Sequence, residues 1–157
     1  MSKMLVAGEE TGFTLRARDR FGNVRDVGGD VFAVSASGSD CKTHVADNGD
    51  GTYSVRCVAT VAGSLQVDVS CGGKRIDGVP LSFTVVAGAF SAAHSTVRST
   101  GFSDARVGEP GVFTVVARDR YGNALSTGGF ACAVSCGHPA VLLSAVDNHD
   151  GTYRVSY

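Results

Sequence analysis

The chain has 157 residues with 21 glycines, only 3 prolines, no tryptophan and 43% apolar residues, the length of about one average domain and a composition of short strands and turns around a real core. Its 14 Lys+Arg against 15 Asp+Glu leave a net charge of -1, so neither counterion release on nucleic acid nor attraction to anionic lipid has much to act on. No stretch approaches the roughly 18 uncharged apolar residues that a membrane span needs.

The chain opens with Met1–Ala7 and reaches Glu9 and Glu10 too early for a secretory leader. The expectation is therefore a cytoplasmic protein. From there apolar residues alternate with period two, as half-buried strands require. The sets are Phe13, Leu15, Ala17; Phe32, Val34; Tyr53, Val55, Cys57; Leu65, Val67, Val69, Cys71; and Leu81, Phe83, Val85. Between the first two lies a turn in which Asp19 caps main-chain amides and Gly22 and Asn23 accept positive φ. Asp50 and Gly51 play the same parts in the hairpin Asp47–Tyr53. No window shows helical periodicity.

At an offset of 100 the pattern begins again without a gap. Arg18–Asn23 recurs as Arg118–Asn123, with Asp119, Gly122 and Asn123 in the turn, and Asp50–Tyr53 recurs as Asp150–Tyr153, with Asp150 and Gly151. His149 stands where Gly49 stood, so that position is expected not to need positive φ, whereas Gly51 and Gly151 are. A repeat of about 80 to 100 residues made of short strands argues for an antiparallel sandwich rather than a solenoid rung.

The Asp-x-x-Gly-Asn turn, the Asp47–Tyr53 hairpin, and the segment from Gly72-Gly73-Lys74 through Ile76 and Gly78 to Pro80, Leu81, Phe83 and Val85 resemble filamin-type immunoglobulin-like repeats over nearly the whole chain. Val79-Pro80-Leu81 departs from the family's usual Ser-Pro-Phe. The resemblance implies an all-β fold: tandem immunoglobulin-like antiparallel β-sandwiches, strands A, B, E and D in one sheet and C, F and G in the other. Repeat 1 spans 1–87 with strand A shortened, a linker covers 88–94, and repeat 2 spans 95–157 with strands A to E only. The linker's Gly and Ala favour flexibility, while Phe90 is placed to pack between the repeats. Repeat 2 is expected to need completion, by a longer chain or by strands donated from another polypeptide.

Candidate chemistry is thin. No nucleophile elbow, zinc-protease helix or nucleotide-binding glycine motif occurs, and Gly72-Gly73-Lys74 reads as a hairpin turn. Asp47–Gly51 starts like a calcium loop but puts Gly49, Gly51 and Val58 where ligands belong. Cys132 and Cys136 fall at the register of Phe32 and Ala36, as core fillers, with His138 beyond them; Cys41 and His44 form a weaker pair. Five cysteines, an odd number, fit reduced buried thiols better than a disulfide framework. No enzyme, metal or other cofactor is expected.

The remaining candidate is a surface. In the filamin-like topology strands C and D lie at the edges of opposite sheets, and a groove between them accepts an extended peptide paired to strand C. With Phe32 and Val34 inward, the outward set is Val31, Ala33 and Ser35, with Lys42 and His44 opposite, a surface suited to an apolar peptide carrying an acidic residue. The expected role is a non-catalytic module of a cytoskeletal or ciliary scaffold with protein partners, actin- or microtubule-associated, with no nucleic acid and no membrane insertion. The cytoskeleton is the expected location, with a cilium or flagellum equally open. The alternatives are an extracellular, invasin-like adhesion module and an accessory domain of a larger multidomain protein.

Overall fold

The computed structural model describes residues 3–99, 106, 108–137 and 141–157. They form two compact units, Met1–Val86 and Ala87–Tyr157. Among the described residues, strands carry the fold and the single helical element is the 3-10 turn Ala92–His94.

The first unit is a two-sheet sandwich. One sheet is built from β2 (Glu10–Arg16), β5 (Thr52–Ala59) and β4 (Cys41–Asp47) in the order β2-β5-β4. The other contains β1 (Lys3–Val6), β8 (Leu81–Val86), β6 (Gly63–Cys71) and β3 (Phe32–Ser37) in that order, with the short β7 (Lys74–Arg75) paired to β6. The first of these strands departs from expectation. β1 does not join the sheet of β2 but runs parallel to β8, with Leu5 opposite Val85.

The alternating residues read from the sequence do face inward. Leu65, Val67, Val69, Tyr53 and Val55 are at most 1% exposed, each worth about 1.5–3 kcal/mol of burial. Leu5, Cys57, Val67 and Val85 belong to one apolar cluster against which Phe13, Val34 and Phe83 pack.

The second unit shows one sheet among its described residues: β9 (Thr96–Ser99), β10 (Val112–Val116), β12 (Thr152–Ser156) and β11 (Ser144–Asp147), in the order β11-β12-β10-β9. Its core gathers Ala117, Leu125 and Tyr153, with Val115, Phe130 and Cys132 against them. The residues read as a linker are held by this unit. Gly88 donates its amide to Asp119 at 2.8 Å, and Phe90 stacks on Phe130 with ring centroids 4.6 Å apart.

Two expectations need correction. Position 49 adopts positive φ in both repeats, 80° at Gly49 and 62° at His149. A histidine there accepts the left-handed conformation because its amide is held by Asp147 Oδ1 at 2.8 Å. Second, the cysteines are not all free thiols: Cys41 is joined to Cys57, Cα–Cα 6.4 Å. The register sets Thr43 opposite Cys57 and Cys41 opposite Ala59, so the two side chains are diagonal neighbours on the inward face. Cys71, Cys132 and Cys136 are free.

Candidate functional site

Strand β3 ends its sheet, so one side of its main chain is unpaired by any strand. On the other side it pairs with β6, Phe32 opposite Cys71, Val34 opposite Val69 and Ala36 opposite Val67. Thr43 on β4 donates its hydroxyl to the carbonyl of Val34 at 3.4 Å, from the side away from β6. Since main-chain groups alternate along a strand, the N–H and C=O of Phe32, Val34 and Ala36 face the open edge. Those of Ala33, Ser35 and Ser37 face β6.

The side chains are set by the other alternation. Phe32, Val34 and Ala36 are half-buried, Ala33 and Ser35 are exposed, and on the facing strand Lys42 and His44 are exposed while Thr43 and Val45 turn in. Val31 precedes the strand and is 80% exposed. Ala33, Ser35, Lys42 and His44 thus sit on the outer surfaces of the two edge strands, with Val31 just before β3, while Val34 and Thr43 meet between the strands. Sequence reading missed Thr43; its inward register on β4 was the available signal.

The upstream end of β3 is fixed by hydrogen bonds. The Tyr53 hydroxyl accepts the amide of Asp30 at 2.8 Å, and Asp30 forms an ion pair with Arg25, also 2.8 Å. Burial, chiefly, raises the Tyr53 phenol above its ordinary value, with Asp30 and Asp47 adding to it. Asp47 accepts the amides of Gly29 at 2.7 Å and Gly49 at 2.8 Å. In the second unit Phe130 donates to the Tyr153 hydroxyl and Gly129 to Asp147 in the same way.

The repeated turns follow the chemistry read from their residues. Asp19 Oδ1 accepts the amides of Phe21 (2.8 Å) and Asn23 (2.9 Å), and Oδ2 accepts Asn23 Nδ2 (2.9 Å); Asp119 repeats all three with Tyr121 and Asn123. Gly22 and Gly122 have φ of 87° and 85°. Asp50 and Asp150 each accept the amide and hydroxyl of the threonine two residues on. These donors hold Asp19, Asp50 and Asp150 below the ordinary carboxyl value. Among the described residues these bonds stay within their own turns, and Asp119 alone of the four aspartates also accepts an amide from outside its turn, that of Gly88.

No group of three or more His, Cys, Asp or Glu side chains among the described residues is placed to hold a metal ion. His138 lies outside the described residues. A small apolar pocket of about 170 Å³ opens between the sheets beside Lys3, Leu5, Phe13, Cys57, Leu81 and Phe83, with no polar constellation in it.

Comparison with known proteins agrees with this architecture. The family model of the Filamin/ABP280 repeat matches residues 2–82 and 89–157. Filamin-C of Rattus norvegicus is 35% identical over 121 residues, 77% of this chain and 4% of that protein; Filamin-A of Drosophila melanogaster is 32% identical over 132 residues, 83% of this chain and 6% of that protein. The chain thus spans only a small part of the curated relatives it matches. Among solved structures, the Escherichia coli adhesin FdeC aligns with a TM-score of 0.60 at 23% identity, covering 99% of this chain and 52% of that one. Invasin, a bacterial integrin-binding protein, aligns with a TM-score of 0.56 at 19% identity over 94% of this chain and 30% of its own. At these identities the two adhesins share the fold.

Proposed function

Since the chain belongs to the Filamin/ABP280 repeat family, whose members are structural and protein-interaction modules, we propose that it serves as a non-catalytic spacer and binding module of a cytoskeletal or ciliary scaffold. It captures partners by adding an extended segment to the open edge of β3, beside Ala33, Ser35, Lys42 and His44, with Val31 at the groove's entrance. The observation that carries this reading is the terminal position of β3 in its sheet, with three residues' main-chain groups directed outward. Edge main-chain bonds supply affinity, and the flanking side chains select the sequence. Lys42 favours a peptide with an acidic residue.

The test is selection of displayed peptides on the chain, followed by amide hydrogen exchange of the complex. Slowed exchange at Phe32, Val34 and Ala36 is the expected outcome. Selected peptides that leave these three amides unchanged would remove the reading.

A second reading is an extracellular adhesion module. The bond between Cys41 and Cys57 favours it, because disulfides persist in oxidising compartments. Thiol labelling of the protein taken directly from its source cells decides between the two: a reduced pair supports the intracellular scaffold, an oxidised pair the adhesion module.

A further inference from the structure

The bond between Cys41 and Cys57 fastens the strand that faces the open edge of β3. Cys41 is the first residue of β4, which lies outermost in its sheet. Cys57 stands opposite Thr43, and Thr43 donates its hydroxyl to the carbonyl of Val34 on β3 at 3.4 Å. The bridge therefore ties to β5 the same stretch of β4, Cys41 to Thr43, that reaches across to β3. Cys57 also belongs to the apolar cluster against which Cys41, Val34 and Ala36 pack, so both sulfurs share a packing layer with two of the three residues whose main-chain groups face outward.

The two sulfurs differ in access. Cys57 is 4% exposed, whereas Cys41 is half-buried, so Cys41 Sγ is the one within reach of an attacking thiolate. The second repeat carries Val141 and Tyr157 at the matching positions, which confines the bridge to the first.

We propose that the Cys41–Cys57 bond is a reversible switch that closes the β3 edge when formed and opens it when reduced. The proposal rests on the reading of β3 as the docking edge. In the bridged form Thr43 is held with its hydroxyl on the Val34 carbonyl, an acceptor that an added strand uses, and the incoming peptide must displace it from a fastened strand. A dithiol reductant opens the bridge. Its thiolate attacks Cys41 Sγ, Cys57 leaves as a thiolate and takes a proton, and the reductant's second thiol displaces Cys41 in turn. Two electrons and two protons pass to the protein, and the reductant ends as its own disulfide; exchange with an oxidised dithiol runs the sequence backwards. Reduction frees Cys41 to Thr43 to move off β3 as a peptide enters. In a reducing compartment the edge stands open, and oxidation closes it.

The test selects displayed peptides on the whole chain kept in dithiothreitol, titrates each against the reduced and the bridged chain, and reads its footprint by amide hydrogen exchange. Peptides that slow exchange at Phe32, Val34 and Ala36 are expected to bind the bridged chain about fivefold or more weakly, the lower end of ordinary coupling between sites. Thr43→Val keeps the shape of the side chain without its hydroxyl, and is expected to raise binding to the bridged chain. With Cys41→Ala and Cys57→Ala together, dithiothreitol is expected to leave affinity unchanged. Equal or tighter binding by the bridged chain, with those three amides slowed in both forms, overturns the switch and leaves the docking edge standing. No gain from Thr43→Val, or free thiols at both positions after treatment with an oxidised dithiol, overturns the switch as well. Selected peptides that leave the three amides unchanged overturn the switch and the docking edge together.

Discussion

Gly88 donates its amide to Asp119 Oδ2 at 2.8 Å, and this bond separates two aspartates whose carboxylates are otherwise bonded alike. Asp19 and Asp119 each take two main-chain amides and one asparagine side chain, but only Asp119 is buried. Replacing Asp119 by Ala strands four donors in a water-poor site. A loss of about 3 kcal/mol is expected, whereas Asp19→Ala leaves its donors to water and costs less. Urea denaturation of the two variants checks the ranking, and equal losses would contradict it.

The same carboxylates set the response to acid. Burial pushes Asp119 up, but the donors from Asn123, Gly88 and Tyr121 outweigh it and hold the group below its ordinary value of 3.8. Asp147 is also held down, chiefly by the amides of His149 and Gly129. Groups depressed in the folded state contribute stability that is fully present above the unfolded value and fades as pH falls through the folded one. Stability of the second unit is therefore expected to be flat above about pH 5 and to fall steeply below about pH 4. In Asp119→Asn the acid limb should be shallower, measured by denaturation at stepped pH.

Gly51 and Gly49 both have positive φ, 76° and 80°, yet they differ in surroundings. A Cβ at Gly51 runs into the carbonyl of Arg25, while one at Gly49 meets open space. Gly49→Ala therefore costs only the backbone strain, about 1 kcal/mol. Gly51→Ala must also displace a main chain and is expected to cost about 3 kcal/mol or more. Thermal unfolding of the two single variants reads the difference.

What could be read from sequence was local. Alternation placed Phe13, Phe32, Tyr53, Leu65 and Phe83 on inward faces, and the turn residues named their own hydrogen bonds, because both depend on neighbours within a few positions. Contacts made over distance were out of reach. The pairing of β1 with β8 joins residues about 80 apart, and the meeting of Cys41 with Cys57 depends on the register of β4 against β5. Identical turns gave no warning that Asp119 would be buried, since the covering segment lies 31 residues away. Ala33, Ser35, Lys42 and His44 are exposed, as period two along β3 and β4 requires, but alternation alone does not say which main-chain groups face the open edge.

The Cys41–Cys57 bond closes a loop of sequence separation 16. A loop of this length is worth about 3 kcal/mol in the chain-entropy account. Reduction is expected to lower the stability of the first unit by that order and leave the second unchanged. Mass spectrometry after alkylation of the unfolded chain should add three labels before reduction, at Cys71, Cys132 and Cys136, and five after it. Five labels without reduction would show the pair to be thiols in the protein as isolated.

The direction of the β3 main chain can be tested with proline. Proline lacks the amide hydrogen and is tolerated in a sheet only where that hydrogen faces outward from an edge. With the amide of Ala36 on the open side, Ala36→Pro keeps the ladder to β6 and costs about 1 kcal/mol, through fitting the ring and its fixed φ at a half-buried position. Ser35→Pro removes a bond to β6, where Ser35 stands opposite Asp68, and is expected to cost about 3 kcal/mol or more. In Ala36→Pro the edge itself is interrupted, so capture of an edge-binding peptide should fall about tenfold while the fold persists. The reverse stability ranking would assign the open edge to Ala33 and Ser35 and shift the proposed pairing by one residue.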